Sequence, residues 1–206
     1  MCGICGLLQL PGGQPVSRKL LERMGDLIRH RGPDDSGIYL SPDGRVGLAN
    51  RRLAIIDPSP AGRQPLSNEK GTIWIAYNGE TYNFVELRAE LQARGHNFRS
   101  QTDTEVIVHL YEQYGVECVR RMRGMFSLAI WDESRRRLFL ARDRLGVKPL
   151  YYAFAPDAFL FGSEIKCLLA HPRLARTMDD EAFYHFLTFL TTPAPHTLFK
   201  GIMKLP

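Results

Sequence analysis

The chain has 206 residues, 44% hydrophobic and 24% charged, with a formal net charge of +5. That length supports one large core, or one domain with part of a second, in an ordinary globular composition. No apolar run approaches the roughly 18 residues that span a membrane, the N-terminus lacks a signal-peptide layout, and four cysteines are too few for a disulfide framework. A reduced, cytoplasmic setting is expected, with no membrane partner. The excess positive charge falls in clusters such as Arg120, Arg121 and Arg123, or Arg135, Arg136 and Arg137. Neither is interleaved with stacking aromatics, which argues against nucleic acid.

In chain order, Cys2 to Leu10 reads as a strand ended by Pro11-Gly12-Gly13. Ser17 caps a helix whose apolar positions are Leu20, Leu21, Met24, Leu27 and Ile28. Gly37 to Leu40 and Val46 to Ala49 form a hairpin, and Leu53-Ala54-Ile55-Ile56 is a further strand. The proline-rich segment from Asp57 to Pro65 is a stiff loop suited to covering a site. Thr72 to Tyr77 is an apolar strand ending at Asn78-Gly79, a dipeptide that alone favours a type I′ turn. Asn83 with Glu86, and Thr102 with Glu105, are capping boxes for two helices. Four strands follow, Met125 to Trp131, Leu138 to Ala141, Leu150 to Phe154 and Phe159 to Phe161, then helices Glu164 to Ala170 and Glu181 to Phe189. Strand runs on either side of a helix pair, joined by hairpins, predict an α+β fold with mainly antiparallel sheets.

Cys2 stands out because removal of Met1, usual when a small residue follows, leaves a thiol and an α-amine on one residue. Their ordinary pKa values, ~8.5 and ~7.7–8.0, let both exchange protons near neutral pH, so the amine can serve the thiol as base. Cys2-Gly3-Ile4-Cys5 is also formally C-x-x-C. A zinc site would need a second pair, for which Cys167 with His171 is the one candidate, and Cys167 reads as a buried helix position. Strand alternation points Cys2 and Cys5 to opposite faces, so Cys5 is expected in the core and no metal is expected.

Four segments complete the pattern: Arg31-Gly32-Pro33-Asp34-Asp35-Ser36-Gly37, Arg52-Leu53-Ala54-Ile55-Ile56-Asp57, Tyr77-Asn78-Gly79-Glu80-Thr81-Tyr82-Asn83 and Arg123-Gly124-Met125-Phe126. In this order behind Cys2, and with Ala141-Arg142-Asp143-Arg144-Leu145-Gly146-Val147-Lys148-Pro149-Leu150-Tyr151-Tyr152 following, they resemble the glutaminase domain of glutamine-hydrolysing asparagine synthetases. That is a class II glutamine amidotransferase with the N-terminal nucleophile hydrolase fold. Thr81 departs from the isoleucine usual in the family's Asn-Gly-Glu-Ile-Tyr-Asn signature.

The resemblance implies a four-layer αββα sandwich over residues 2–190, with residues 191–206 a linker toward a synthetase domain absent from this chain. It implies L-glutamine as substrate and Cys2 as nucleophile. Asn78 and Gly79 would be oxyanion donors, Arg52 the α-carboxylate partner and Asp103 the α-ammonium partner. Leu53, Ile55, Ile56 and Glu80 would complete the pocket. No cofactor is expected in this chain; ATP and Mg belong to the synthetase domain, which would make asparagine from aspartate. A possible homodimer stays open. Alternatives are a relative acting on another carboxylate acceptor, or a catalytically silent regulatory domain. Lys148-Pro149 and Arg142-Asp143 are expected to serve an interface or a turn, and His30, just before the Arg31-Gly32-Pro33 loop, a structural role rather than one in the site.

Overall fold

The first strand, β1 (Gly3–Gln9), is apolar on both sides because both of its faces are covered. Ile4 and Leu8 belong to a core shared with a second sheet, whereas Cys5 and Leu7 pack against helices. The computed structural model describes every residue from Met1 to Pro206. Helix α1 (Arg18–Asp26) follows, with the Ser17 hydroxyl accepting from the Leu20 N–H, and then the hairpin β2 (Asp35–Leu40) and β3 (Val46–Arg52). A long loop leads to the short β4 (Leu66–Ser67) and to β5 (Ile73–Thr81). Helices α2 (Phe84–Ala93) and α3 (Asp103–Tyr114) precede the hairpin β6 (Gly124–Asp132) and β7 (Arg137–Arg142). The chain closes with β8 (Tyr151–Phe154), β9 (Ala158–Gly162), α4 (Ile165–Leu168), α5 (Asp180–Phe189) and β10 (Ile202–Lys204).

Two antiparallel sheets result, one ordered β10-β8-β9-β1-β3-β2 and the other β4-β5-β6-β7. Three apolar clusters fill the three gaps of the expected four-layer sandwich. Leu21, Met24 and Ile28 of the α1 region and Cys167 and Leu168 of α4 cover the outer face of the six-stranded sheet. Val106, Ile107, Leu110 and Tyr111 of α3, with Leu87 and Leu91 of α2, cover the outer face of the four-stranded sheet. Ile4, Leu48, Ala76, Ala129, Trp131 and Phe161 meet between the sheets. Burial of a large aliphatic or aromatic side chain contributes about 1.5–3 kcal/mol, so all three interfaces are major sources of stability.

Five local expectations change. Thr102 caps α3 by accepting from the Thr104 N–H, but Glu105 accepts from the Arg99 and Ser100 N–H groups instead of closing a capping box. Residues 53–56 are loop rather than strand, and Ile55 is 74% exposed. Asn78-Gly79 is not a turn: β5 stays paired with β6 through Thr81, opposite Gly124. Asn83 does not cap α2 with its side chain, which instead donates to the Arg121 carbonyl and accepts from the Arg123 N–H. Within the expected linker 191–206, Ile202–Lys204 forms the edge strand β10 on β8, and the buried Thr197 hydroxyl donates to the Ile202 carbonyl. Three residues are too short a run to show strand periodicity, so the sequence carries little sign of it.

Candidate active site

Alternation along the strands decides what reaches the gap between the sheets. On β3 the residues Val46 and Leu48 face inward, and the same parity brings Asn50 and Arg52 inward; Arg51 points the other way, to the Gly25 carbonyl and the Asp26 carboxylate. On β5 the inward residues are Trp74, Ala76 and Asn78. Cys2 shares the parity of Ile4. The three chains of alternation therefore deliver Cys2, Arg52 and Asn78 to one end of the inter-sheet gap. All nine residues expected there, Cys2, Arg52, Leu53, Ile55, Ile56, Asn78, Gly79, Glu80 and Asp103, line a single pocket.

Cys2 Sγ accepts a hydrogen bond from the Leu53 N–H at 3.3 Å and lies 3.6 Å from the Leu53 carbonyl. Burial pushes its thiol pKa up, while the Leu53 hydrogen bond and nearby positive charge, Arg52 included, act against that. The thiol thus needs a base at neutral pH. Met1 lines the same pocket, its sulfur 2.8 Å from the Lys148 ammonium, and while it is attached the Cys2 nitrogen is an amide. Cys5 is separated from this chemistry as expected. It is fully buried beside Cys167, whose thiol, together with burial, pushes the Cys5 pKa well up. The four cysteines are all free of disulfides.

The Arg31-Gly32-Pro33-Asp34 segment has a physical role in holding the nucleophile. Arg31 Nε donates to the Cys2 carbonyl at 3.0 Å, and its Nη1 is fixed by Glu164 at 3.1 Å. Glu164 also binds His30 at 2.8 Å, so His30 is structural. A Cβ at Gly32 would overlap the Arg51 carbonyl, which makes glycine necessary for this close approach. Asp34 accepts from the Ala54 N–H at 2.9 Å, anchoring the loop that presents Leu53 to Cys2.

Arg52 is 5% exposed and has no carboxylate partner. Its guanidinium donates to the carbonyls of Ser59 (3.2 Å), Ile56 (3.3 Å) and Asp57. The proline-rich loop therefore does cover the site, wrapped around this cation, and a side chain at Gly62 would collide with the Arg52 guanidinium. Asp57 secures the loop by accepting from the Gln101 N–H at 2.7 Å, just before α3.

Asp103 opens α3 and is also 5% exposed, without a cationic partner. Burial pushes its carboxyl pKa up, against hydrogen bonds from the Thr81 N–H (2.9 Å) and the Tyr77 hydroxyl. Thr81, the residue that departs from the family signature, places its hydroxyl 2.9 Å from the Tyr77 hydroxyl and so joins this network. Asn78 is 1% exposed, with its amide 3.4 Å from the Ser127 hydroxyl. Gly79 has no room for a Cβ, which would overlap the Met125 carbonyl and Phe126 Cα.

The sequence pattern did not point to Gln64, Tyr77, Thr104 or Lys148 as pocket residues. Gln64 Oε1 accepts from the Tyr77 N–H (2.7 Å) and the Asn50 amide (3.2 Å), and its Nε2 donates to Thr104 (3.2 Å). It ties the loop to both sheets and to α3. Asp143 organises its turn by accepting from the N–H groups of Phe126, Val147 and Lys148, as expected, but the Lys148 ammonium turns into the pocket.

The glutamine amidotransferase domain family matches residues 1–206. Glutamine-hydrolysing asparagine synthetase 3 of Bacillus subtilis (strain 168) is 42% identical over 208 residues, covering 100% of this chain and 33% of that protein. Synthetase 2 of the same organism is 46% identical over 181 residues, 87% of this chain and 24% of the relative. Among solved structures, glutamine phosphoribosylpyrophosphate amidotransferase from B. subtilis superposes with a TM-score of 0.67 at 20% identity, over 82% of this chain and 43% of that one. The chain belongs to the glutamine amidotransferase domain family, and its two-sheet sandwich has the fold of that solved amidotransferase. It spans a third or less of the length of these two synthetases. No helix is long and apolar enough to cross a membrane.

Proposed function

We propose that this domain hydrolyses L-glutamine to L-glutamate and ammonia through a thioester on Cys2. The observation that carries the reading is a pair of buried, unneutralised charges in the Cys2 pocket, the Arg52 guanidinium and the Asp103 carboxylate. A buried charge without a counterion is costly unless a ligand supplies one. A zwitterionic amino acid offers both, its α-carboxylate to the fork of Arg52 and its α-ammonium to Asp103.

With the substrate so held, the Cys2 sulfur attacks the side-chain amide carbonyl. The thiol proton passes to the Cys2 α-amine, through a bridging water, once Met1 has been removed. The tetrahedral oxyanion is stabilised by the Asn78 amide and the Gly79 N–H. Collapse breaks the carbon–nitrogen bond, the proton goes to the leaving nitrogen, and ammonia departs from a γ-glutamyl thioester. Water then attacks the thioester, releasing glutamate and restoring the thiol. In the whole protein the ammonia would serve ATP-dependent conversion of aspartate to asparagine in a further domain. The test is glutamate and ammonia release from purified chain without ATP, after mass spectrometry has verified an N-terminal cysteine. No release from such protein would overturn the reading.

Asn78→Ala should lower kcat by ~10²–10³ with a smaller change in KM, because the donor acts mainly on the transition state. A change confined to KM would make Asn78 a substrate-positioning residue instead. Arg31 touches the Cys2 carbonyl rather than substrate and is a positioning residue. Displacing a reacting group by about 1 Å can cost ~10² in rate, so Arg31→Ala should lower kcat with KM little altered. Loss of melting temperature with full kcat would reduce Arg31 to a structural role.

A further inference from the structure

Beyond the active site, one cluster of metal-ligating side chains carries an assignment of its own. His109 and Glu112 lie one turn apart on α3, and His96 lies on the segment between α2 and α3. His96 Nδ1 is 3.2 Å from His109 Nδ1, His109 Nδ1 is 2.7 Å from Glu112 Oε2, and His96 Nδ1 is 3.6 Å from that same oxygen. Two imidazole nitrogens and a carboxylate oxygen therefore converge on one point.

His96 Nε2 lies 3.4 Å from the Gln113 side-chain oxygen, a contact that leaves its Nδ1 for the shared point. The His109 Nδ1 has a single in-plane position, yet two close neighbours, the His96 Nδ1 and the Glu112 Oε2. A cation at the shared point satisfies all three atoms. For metal–ligand bonds of ~2.0–2.1 Å in tetrahedral geometry, ligand atoms stand roughly 3.3 Å apart; the 3.2 Å and 3.6 Å spacings lie close to that value, and the 2.7 Å contact between His109 and Glu112 opens by a side-chain adjustment of Glu112 on binding.

The outer sphere is also built. Asn68 donates to Glu112 Oε1 at 2.8 Å, leaving Oε2 for the shared point, and Gln113 orients the His96 ring. His109 is 1% exposed and packs edge-on against Phe98, which fixes its ring. Glu112 and His96 are half-buried, so an ion has access.

We propose that His96, His109 and Glu112 form a binding site for a borderline divalent cation of the zinc type, with a remaining position for water. Two imidazoles and one carboxylate favour such an ion over magnesium or calcium, which prefer all-oxygen shells. Binding clamps the α2–α3 connection onto the helix that begins at Asp103, and the Asn68–Glu112 hydrogen bond holds the β4–β5 turn there.

The test uses the full chain carrying Cys2→Ala, so that the N-terminal thiol does not compete for metal. Zinc affinity is measured against a chromophoric chelator, and cobalt(II) reports the ligand geometry through its visible absorption. One equivalent should bind in the micromolar range or tighter, raise the melting temperature and give a tetrahedral cobalt spectrum. Adding His96→Ala or Glu112→Gln, both at half-buried positions, should weaken binding by at least about tenfold, the lower bound for losing even an outer-sphere partner. Absence of saturable binding below millimolar zinc, or equal affinity in the parent and both added variants, would overturn the site.

Discussion

The Cys2→Ala variant is expected to fold as the parent does and to release no ammonia from glutamine. The side chain removed is small and half-buried at the pocket end, outside the three apolar clusters, so stability should change little. Protein that keeps Met1 should be nearly as inactive, for a different reason. Its Cys2 nitrogen is an amide, and loss of a general base typically costs ~10²–10⁴ in rate. The burial that raises the Cys2 thiol pKa makes that base necessary rather than helpful. Intact-mass measurement paired with an ammonia assay on the same sample settles both points. Full activity in a sample uniformly retaining Met1 would eliminate the amine as base. Cys5→Ala serves as the control: it empties space in the layer between the six-stranded sheet and its helices, so it should lower the melting temperature and leave kcat intact. Equal loss of activity in both cysteine variants would return attention to the C-x-x-C pairing.

What the sequence allowed one to read was the alternation, because faces of a strand follow parity wherever both sides are buried. Arg52 rather than Arg51, and Cys2 rather than Cys5, followed from that rule and from the family motif together. The errors arose where local preference and tertiary pairing disagree. Asn78-Gly79 favours a turn in isolation, but β6 continues to pair with β5 past it, so the dipeptide remains extended and Asn78 stays on the inward face. The run Leu53-Ala54-Ile55-Ile56 looks like a strand because it is apolar and β-branched. Its backbone instead serves Cys2 through the Leu53 N–H, Asp34 through the Ala54 N–H and Arg52 through the Ile56 carbonyl. Gln64 had no signal at all: a glutamine before a proline in a loop is unremarkable until three elements converge on its amide.

Loss of either substrate-holding charge should be the second large effect. Arg52→Ala and Asp103→Asn each leave one end of the zwitterion without its partner, and truncating one member of a buried charge pair typically costs ~2–5 kcal/mol. That corresponds to a fall in kcat/KM of roughly 30-fold to several thousandfold. Glutamine with a blocked α-amine or an esterified carboxylate should fail with the parent enzyme for the same reason. The pH dependence carries a sign that separates binding from stability. Burial raises the folded pKa of Asp103 above the ordinary aspartate value, and ammonium binding requires the ionised form. The kcat/KM for glutamine should therefore fall as pH drops through that raised pKa, and Asp103→Asn should abolish this acid limb. Stability runs the other way. A carboxyl whose folded pKa is raised favours the folded state at low pH, and that contribution is lost as pH rises through the folded value. Above that folded value the buried carboxylate is thus a cost to the fold, and Asp103→Asn, which keeps an acceptor for the Thr81 N–H, should hold or raise the melting temperature while activity collapses. Near-normal kinetics with a lowered melting temperature would instead make Asp103 a residue that serves only the start of α3.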